Sequence, residues 1–351
     1  MPEAKRLDRG AVDASPAAND QTNRMKAIVY HRYGPPEVLE LREVARPVVG
    51  DDGVLIRVRA ASVNPYEWHY MRGEPYLARL QMGLRPKTGR LGVDVAGTVE
   101  AVGRTVTRLR PGDEVFGTCD GALAEYAVGT ESSLVSKPAV VTFEQAGAVG
   151  IAAFTAVQGL RDFGQVQAGQ KVLINGAAGG VGTFAVQLAK TWGAEVTGVC
   201  STRNVDMVSS IGADHVIDYT RDNFTRGGRR YDLMLDLIGN HPLSSCRRVL
   251  TPAGTFVMLG GQSGRWLRPM DRVLKTLLSS RLVRQRLVLG RAVWSYEDLL
   301  LMQHLMGAGR VHAVIDRTYP LSQVPEAIRY LEEGHARGKV VITVSGAGDT
   351  E

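Results

Sequence analysis

A glycine-rich stretch at Asn175–Gly182 carries the clearest chemistry in the sequence. It follows an apolar segment with strand character and precedes a helical pattern. Ala177, Gly179 and Gly182 have the A-x-G-x-x-G spacing of a dinucleotide fingerprint, in which glycine lets the backbone approach a pyrophosphate. Unpaired N–H groups at a helix start attract such an anion. The stretch therefore predicts a site for a nicotinamide dinucleotide. Its predicted pyrophosphate contacts are Ala178, Gly179, Gly180 and Val181.

The end of the next predicted strand bears on which dinucleotide binds. An NAD-specific site places Asp or Glu there to accept a hydrogen bond from the ribose 2′-OH. The predicted strand Glu195–Cys200 ends in cysteine instead, and Ser201 and Arg203 follow. A hydroxyl and a guanidinium fork suit a 2′-phosphate, so the sequence favours NADP(H). The other interpretation is that Arg203 is a solvated surface residue and either cofactor binds. Tyr219 is a further candidate for the adenosine pocket, or a core residue.

The elements that would position these residues fall into two groups. Residues 25–145 contain short β-branched segments punctuated by Gly and Pro, which predicts a β-rich domain. A helix is predicted over Phe143–Phe163, and strands then alternate with helices. Apolar strands that alternate with helices predict a parallel sheet covered on both faces, an α/β architecture of the doubly wound Rossmann type. The five strands are predicted at Lys171–Ile174, Glu195–Val199, His215–Ile217, Tyr231–Leu235 and Thr255–Leu259.

The chain after this sheet is predicted to contain helices at Tyr296–Met306 and Val324–Glu333 and a last strand at Lys339–Val344. Because the five-stranded sheet is already complete, the last strand is predicted to return to the first domain. The predicted limits are a disordered tail at 1–24, one domain from 25–145 together with 292–345, and a dinucleotide domain at 146–291.

Composition excludes several classes of protein. The three cysteines, Cys119, Cys200 and Cys246, lack CxxC spacing, which argues against a zinc cluster or a disulfide framework. No run of 18 apolar residues predicts a membrane span, and residues 1–24 lack the apolar core of a secretory signal. We therefore expect a cytoplasmic protein. The net charge of +6 leaves nucleic acid, membrane surfaces and anionic ligands open as partners, although no aromatic–basic RNA motif is present.

Six short motifs are spread over the chain. They are Ala61–Pro65, Leu91–Glu100, Arg110–Val115, Asn175–Gly182, Gly212–Tyr219 and Gly338–Ile342. Together they resemble motifs of the medium-chain dehydrogenase/reductase superfamily, and of its quinone oxidoreductase branch in particular. The run Cys200–Asn204 and the basic stretch after Gly261 are most similar to the reticulon-4-interacting-protein type of NADPH oxidoreductase. The resemblance spans about residues 25–345. It implies a GroES-like β-rich catalytic domain joined to a Rossmann domain, and a homodimer.

The zinc-dependent alcohol dehydrogenases of this superfamily hold a catalytic zinc with Cys, a His-Glu pair and a third ligand. The corresponding positions of this chain are Asn64, then Val93 and Asp94, then a cysteine-free stretch at 148–152. Thiolate and imidazole are the ligands that zinc prefers in such sites. The sequence therefore predicts no catalytic metal, and it favours reduction of a polarised C=C bond or a quinone over alcohol dehydrogenation.

The resemblance also implies roles for residues near the nicotinamide. Asn64 and Thr155 are expected to contact it from opposite domains, and Lys339 is expected to reach the pyrophosphate or the nicotinamide. The predicted ribose contacts are Leu259, Gly260 and Gly261. A metal-free site needs another donor for the developing oxyanion. The candidates are Tyr66, Tyr70 and Tyr76, with Tyr76 favoured, and His69 is either a proton donor or a structural residue.

The segment Arg265–Arg291 has eight basic residues and one acidic residue, Asp271, and it is predicted to be helical. It is interpreted as a lid over an apolar substrate, as a peripheral contact with anionic membrane that collects a lipid quinone, or as a solvated helix. The sequence predicts a zinc-independent NADPH oxidoreductase for quinones or α,β-unsaturated carbonyls. The alternatives are an enoyl reductase for acyl or polyketide substrates, and a low-turnover NADP(H)-binding scaffold or nucleic-acid-binding protein.

Overall fold

Two large β-sheets organise the fold of the computed structural model. It describes residues 23–74, 76, 79, 83, 85–86, 89–260 and 283–344. The two sheets draw on different stretches of the chain, since one uses residues 171–289 and the other uses residues 53–136 together with 315–343. The predicted domain limits at 145/146 and 291/292 stay predictions. No helix within the described ranges is long and apolar enough to cross a bilayer.

The first sheet has seven strands in the order β14-β15-β3-β4-β5-β7, with β6 paired to β3. Its strands are β3 (Gly53–Val63), β4 (Asp94–Val102), β5 (Glu114–Thr118), β6 (Tyr126–Thr130), β7 (Leu134–Ser136), β14 (Ile315–Pro320) and β15 (Lys339–Thr343). A separate antiparallel pair is formed by β1 (Arg24–Val29) and β2 (Glu40–Ala45). Strand β3 pairs with β4, β6 and β15, and its residues are almost all buried because cores cover both of its faces.

The second sheet is fully parallel and confirms the predicted doubly wound architecture. Its strand order is β10-β9-β8-β11-β12-β13, the Rossmann order 3-2-1-4-5-6. The strands are β8 (Lys171–Asn175), β9 (Glu195–Cys200), β10 (His215–Asp218), β11 (Tyr231–Asp236), β12 (Leu250–Met258) and β13 (Arg286–Leu289). The order reverses between β8 and β11, and ligands of such sheets bind in the crevice at the carboxyl ends of the strands there.

The α-helices within the described residues have 5 to 12 residues each. They are α1 (Pro65–Arg72), α2 (Phe143–Gly147), α3 (Gly150–Gln158), α4 (Gly180–Thr191), α5 (Val205–Ser210), α6 (Leu243–Arg248), α7 (Tyr296–Gly307) and α8 (Val324–Glu332). The predicted single helix Phe143–Phe163 is wrong, because the chain breaks between α2 and α3 and ends in a π-helical turn at Gly159–Phe163. The break allows a close approach to the first sheet: a Cβ on Gly150 would lie 1.8 Å from Asp94 Oδ1.

The prediction of a helix over Arg265–Arg291 is also wrong in part. Residues 286–289 form β13, a sixth parallel strand on β12, so the sheet is not complete after five strands. Leu287 and Val288 pack on different cores, which is the period-2 pattern of a strand. The many basic residues in this stretch obscured the alternation of a strand in the sequence. Residues 261–282, which include the rest of the predicted helix and Gly261, lie outside the described residues.

The last strand does return to the first sheet, as predicted. Strand β15 lies antiparallel to β3, with Val340 opposite Val63, and parallel to β14. Strand β14 was missed because its side chains are half-buried or exposed and carry no apolar alternation. The residue before β15, Gly338, donates from its N–H to the Ala178 carbonyl at 2.8 Å and forms a bridge with Gly179. The start of β15 thus touches the glycine-rich loop.

Candidate active site and cofactor site

The glycine-rich loop lies at the carboxyl end of β8, beside the point where strand order reverses. The N–H groups of Gly176 and Ala177 donate to the Val199 carbonyl, which ties the loop to β9. Helix α4 has Gly179 as its N-cap residue and no side chain caps it, so its first-turn N–H groups are free for an anion. A Cβ on Gly182 would lie 2.1 Å from the Gly176 carbonyl oxygen, whereas a Cβ on Gly179 would meet nothing closer than 3.6 Å. The backbone therefore forms an open cradle that fits a pyrophosphate.

The predicted adenosine residues come together at the ends of β9 and β10. Ser201 directly follows β9, and its hydroxyl accepts a hydrogen bond from Asn204 at 3.1 Å. The Arg203 guanidinium donates to the His335 carbonyl in the turn before β15. Tyr219 is exposed and donates from its N–H to the Cys200 carbonyl at 3.0 Å. The three residues thus lie near the carboxyl ends of β9 and β10. The end of β9 carries no acidic residue, whereas Asp218 ends β10 and accepts a hydrogen bond from Thr202 at 2.6 Å.

The segment at the end of β12 borders the same crevice. Leu259 and Gly260 donate to the Asp236 carbonyl at 3.1 and 3.3 Å. A Cβ on Gly260 would lie 2.0 Å from the Leu237 carbonyl oxygen, so only glycine fits this position. The third predicted ribose contact, Gly261, lies outside the described residues.

A buried polar cluster lies on the first sheet, where the ends of β3, β4 and β15 meet. Asn64 donates from Nδ2 to Asp94 Oδ2 at 3.0 Å, and its Oδ1 accepts from the Lys339 ammonium. The same Asp94 oxygen accepts from Ser62 at 2.7 Å and lies 3.2 Å from Lys339 Nζ. Each of these four side chains is almost fully buried. The partners fix the orientation of the Asn64 amide, because Lys339 can only donate and Asp94 accepts. One N–H of Asn64 is left for a further acceptor.

Asp94 also anchors the helix that carries Thr155. Its Oδ1 accepts from the Ile151 N–H at 2.8 Å, in the first turn of α3. The Thr155 hydroxyl donates to the Ile151 carbonyl at 2.7 Å, one turn further on. The predicted nicotinamide contacts Asn64 and Thr155 are therefore held through one carboxylate. The Lys339 stem lies against the glycine-rich loop, since a Cβ on Gly180 would be 3.1 Å from Lys339 Cδ.

Glu67 is a buried carboxyl that the sequence interpretation did not include. One oxygen accepts from the Asn64 N–H at 2.7 Å, and the other, Oε1, has no partner within the described structure. Burial, together with the negative charge of Asp94, raises the pKa of Glu67 to about 8, so its neutral form predominates at pH 7. The spacing Asn64-x-x-Glu67 resembles a capping box, which was the available sequence signal.

An apolar cavity of about 630 Å³ opens beside this cluster. Its walls include Tyr66, Val93, Ile151, Phe154 and Trp294. The Tyr66 ring packs on Tyr70 at 4.3 Å between centroids. The pKa of Tyr66 is raised, mainly by burial and further by a hydrogen bond with Tyr70, so its phenol keeps its proton. No sequence pattern marked Phe154 and Trp294, because they meet only in the folded chain.

Two other predicted residues lie elsewhere. Tyr76 does not line this cavity; its ring stacks with the Arg79 guanidinium, which also contacts Tyr33. His69 stacks on Trp68 at 3.7 Å, and its Nδ1 lies 3.2 Å from the Glu74 carbonyl. Burial lowers the pKa of His69, so the ring is neutral at pH 7. These contacts favour a packing role for His69.

The residues at the centre of the site do not fit a zinc ion. The set is an amide, a carboxylate and an ammonium, and the Lys339 ammonium already occupies the Asp94 oxygen that would face a cation. No group of three or more His, Cys, Asp or Glu side chains within the described ranges is arranged to hold a metal.

The parallel Rossmann sheet and the first sheet meet at the glycine-rich loop. This arrangement is that of a nicotinamide-dependent oxidoreductase. Comparisons with known proteins agree. Residues 50–139 match the family model of the alcohol dehydrogenase GroES-like domain, and residues 211–342 match that of the zinc-binding dehydrogenases. The chain belongs to the quinone oxidoreductase branch of the medium-chain dehydrogenase/reductase superfamily.

Similar proteins cover nearly the whole chain. The chloroplast envelope quinone oxidoreductase homolog of Arabidopsis thaliana is 33% identical over 91% of this chain and 98% of its own length. The mitochondrial NAD(P)H oxidoreductase RTN4IP1 of Mus musculus is 33% identical over 91% and 89%. The solved quinone oxidoreductase of Coxiella burnetii superposes with a TM-score of 0.81 at 29% identity, over 92% of this chain and all of that one.

Proposed function

We propose that this chain is a zinc-independent, NADPH-dependent reductase of quinones or α,β-unsaturated carbonyls. The observation that carries the proposal is the fixed amide of Asn64. It lies in a buried cluster that touches the glycine-rich loop on one side, and Tyr66, two residues along the chain, lines the apolar cavity. Relatives at about 33% identity are named quinone oxidoreductases, which supports the substrate class.

The cofactor would supply the hydride, and the chain supplies position and electrostatics. Its pyrophosphate would bind the free N–H groups of α4, and its nicotinamide would lie near Asn64 and Thr155. We propose that the remaining N–H of Asn64 donates to the substrate oxygen as negative charge develops there. Lys339 strengthens this donor by its positive charge and holds the amide in one orientation.

Tyr66 is the better supported of the predicted tyrosines as a second donor. Its raised pKa keeps the phenol protonated over the physiological range, and it lines the cavity with Tyr70 behind it. Tyr76 is not among the residues that line the cavity. A phenol that only donates a hydrogen bond lowers the barrier modestly, since a quinol oxygen can take its proton from solvent. We therefore assign Asn64 the larger share of the electrostatic stabilisation.

For the cofactor, we propose NADP(H) rather than NAD(H). Ser201, Arg203 and Tyr219 lie at the carboxyl ends of β9 and β10, where a 2′-phosphate would bind, and Arg is the residue type best suited to bind phosphate oxygens. The names of the relatives leave this choice open, because one of them is named an NAD(P)H oxidoreductase.

The test follows NADPH absorbance with a benzoquinone, a naphthoquinone, an enone and an enoyl thioester. We expect oxidation with the quinones or the enone. Turnover with the thioester alone would favour the enoyl reductase alternative. Tight NADPH binding with no oxidation by any acceptor would refute the proposal and favour a binding protein. Asn64→Ala should lower kcat and leave NADPH affinity within about threefold. The matched control Asn23→Ala, at an exposed position before β1, should change neither quantity.

The homodimer, the cytoplasmic location and a peripheral membrane contact through 265–291 stay predictions. Size-exclusion chromatography tests the first, and sedimentation with anionic and neutral vesicles tests the last.

A further inference from the structure

Three large apolar side chains that the fold leaves accessible line the same cavity. Tyr66 is 41% exposed, Val293 is 62% exposed and Trp294 is 40% exposed. Apolar side chains scattered singly over a surface need no explanation, but a cluster around one concavity marks a binding site. The cavity volume of about 630 Å³ is within the range of roughly 300–1,000 Å³ typical for organic ligands, and it exceeds what a single-ring quinone fills.

Trp294 is held rigidly in this wall. Its indole N–H donates to the Ser132 carbonyl at 3.2 Å, which ties it to the loop between β6 and β7. Its ring meets the buried Phe154 edge to face, with centroids 4.8 Å apart and an interplanar angle of 87°. Phe154 lies on α3, directly before Thr155. The wall therefore has a fixed position relative to the residues proposed to hold the nicotinamide.

The charged groups that face this cavity are acidic. Asp52 and Asp120 are the charged side chains among its described lining residues. Asp120 also acts on the phenol, because its negative charge contributes to raising the pKa of Tyr66. An acceptor that carries a carboxylate or phosphate would meet repulsion here, whereas a neutral acceptor would not.

We propose that Trp294 and Phe154 form a specificity wall that selects a neutral, fused-ring acceptor with an apolar substituent, such as an alkylated naphthoquinone. This inference rests on the proposed function and narrows it. An aromatic ring system gains contact area against the indole face and fills volume that a benzoquinone would leave empty. The acidic groups around the cavity disfavour anionic acceptors, including carboxylate-bearing quinones.

The first experiment compares Trp294→Ala and Trp294→Phe with wild type on benzoquinone and on 2-alkyl-naphthoquinones of increasing chain length. We expect Trp294→Ala to lower kcat/KM for the naphthoquinones about 10- to 30-fold, mainly through KM, and for benzoquinone less than threefold. Trp294→Phe should recover part of the loss. Equal losses on both acceptors, or no loss on either, would overturn the inference.

A second experiment tests the charge argument with a matched pair of naphthoquinones, one with a neutral alkyl chain and one with a terminal carboxylate. Wild type should prefer the neutral compound by about tenfold at low salt, and Asp120→Asn should narrow that ratio. Two results would contradict the role proposed for the acidic groups of the cavity. One is a wild-type preference for the carboxylate compound, and the other is a ratio of neutral to carboxylate turnover that Asp120→Asn leaves unchanged.

A binding measurement separates this inference from the proposed function. Naphthoquinone is titrated against the protein saturated with NADP⁺, and tryptophan fluorescence is followed. Because the chain has four tryptophans, single variants are needed to assign the fluorescence signal to Trp294. A saturable quenching phase should be present in wild type and in the control Trp192→Phe, and it should be lost in Trp294→Phe. Quenching without NADPH oxidation would refute the reductase proposal alone. Turnover without Trp294-dependent quenching would refute the specificity wall alone.

Discussion

The glycine-rich loop and the buried polar cluster are the two halves of the proposed site, and they are built in different ways. The loop is made of backbone from eight consecutive residues, and its key property is what glycine leaves open. The cluster is made of side chains at positions 62, 64, 94 and 339, which only the first sheet brings together. Adding a single Cβ atom should therefore distort the loop, whereas removing a single charge should destabilise the cluster.

The largest expected effect is on the cluster. Lys339→Met should lower the free energy of unfolding by about 3–5 kcal/mol, because it leaves the buried Asp94 carboxylate without its cation. Chemical denaturation measures this loss. The double variant Asp94→Asn with Lys339→Met removes the unpaired charge and should regain much of the stability. An equal or greater loss in the double variant would show that the ion pair is not the cause.

A pH dependence separates Glu67 from the other members of the cluster. Its pKa is raised from 4.5 to about 8, so the folded protein binds this proton more tightly than the unfolded chain does. The free energy of unfolding should therefore fall as pH rises from about 4.5 to 8, by an amount on the order of a few kcal/mol, and level off above. Glu67→Gln should remove this contribution, as denaturation at several pH values would reveal. Parallel curves for both proteins would contradict the assignment.

The loop half is tested by two glycines. Gly182→Ala places a Cβ 2.1 Å from the Gly176 carbonyl oxygen, so it should distort the loop and weaken NADPH binding about 100-fold or more, with some loss of stability. Gly179→Ala has room within the protein, and it should weaken binding while stability stays within about 1 kcal/mol. Calorimetric titration and thermal melts measure the two quantities. If Gly179→Ala binds NADPH like wild type, the pyrophosphate does not approach there.

The smallest expected effect is on cofactor choice. Arg203→Ala should weaken NADPH binding about 10- to 30-fold and NADH binding less than twofold, because only the former carries the 2′-phosphate. Arg221, which is exposed and pairs with Asp218 nearby, supplies the matched control, and Arg221→Ala should change neither affinity. Equal losses for both cofactors with Arg203→Ala would refute the NADP(H) assignment.

Interpretation of the sequence succeeded where structure is encoded locally. The parallel sheet and the glycine-rich loop followed from periodicity and glycine spacing. The return of the last strand was predicted from a five-stranded sheet taken as complete, and it holds although that sheet has a sixth strand. The interpretation failed where contact with a residue or strand far away in the sequence determines the local structure. The helix predicted over Phe143–Phe163 breaks because Gly150 must lie against Asp94, and Arg286–Leu289 is a strand because β12 offers it an edge. Neither partner is visible in the local pattern.

The sequence by itself determined the dinucleotide loop, because residue types and short spacings suffice for it. With the family resemblance, it also showed that thiolate and imidazole are absent at the positions where zinc-dependent relatives hold their metal. The tertiary structure decided which side chains surround Asn64 and Asp94. It brought Lys339 to Asn64 across 275 positions, left Glu67 buried with one unpaired oxygen, and set Trp294 against Phe154 in the cavity wall. The physical reason is burial: inside the protein a charge or polar group must find its partner in space, and the chain order does not reveal which partner that is.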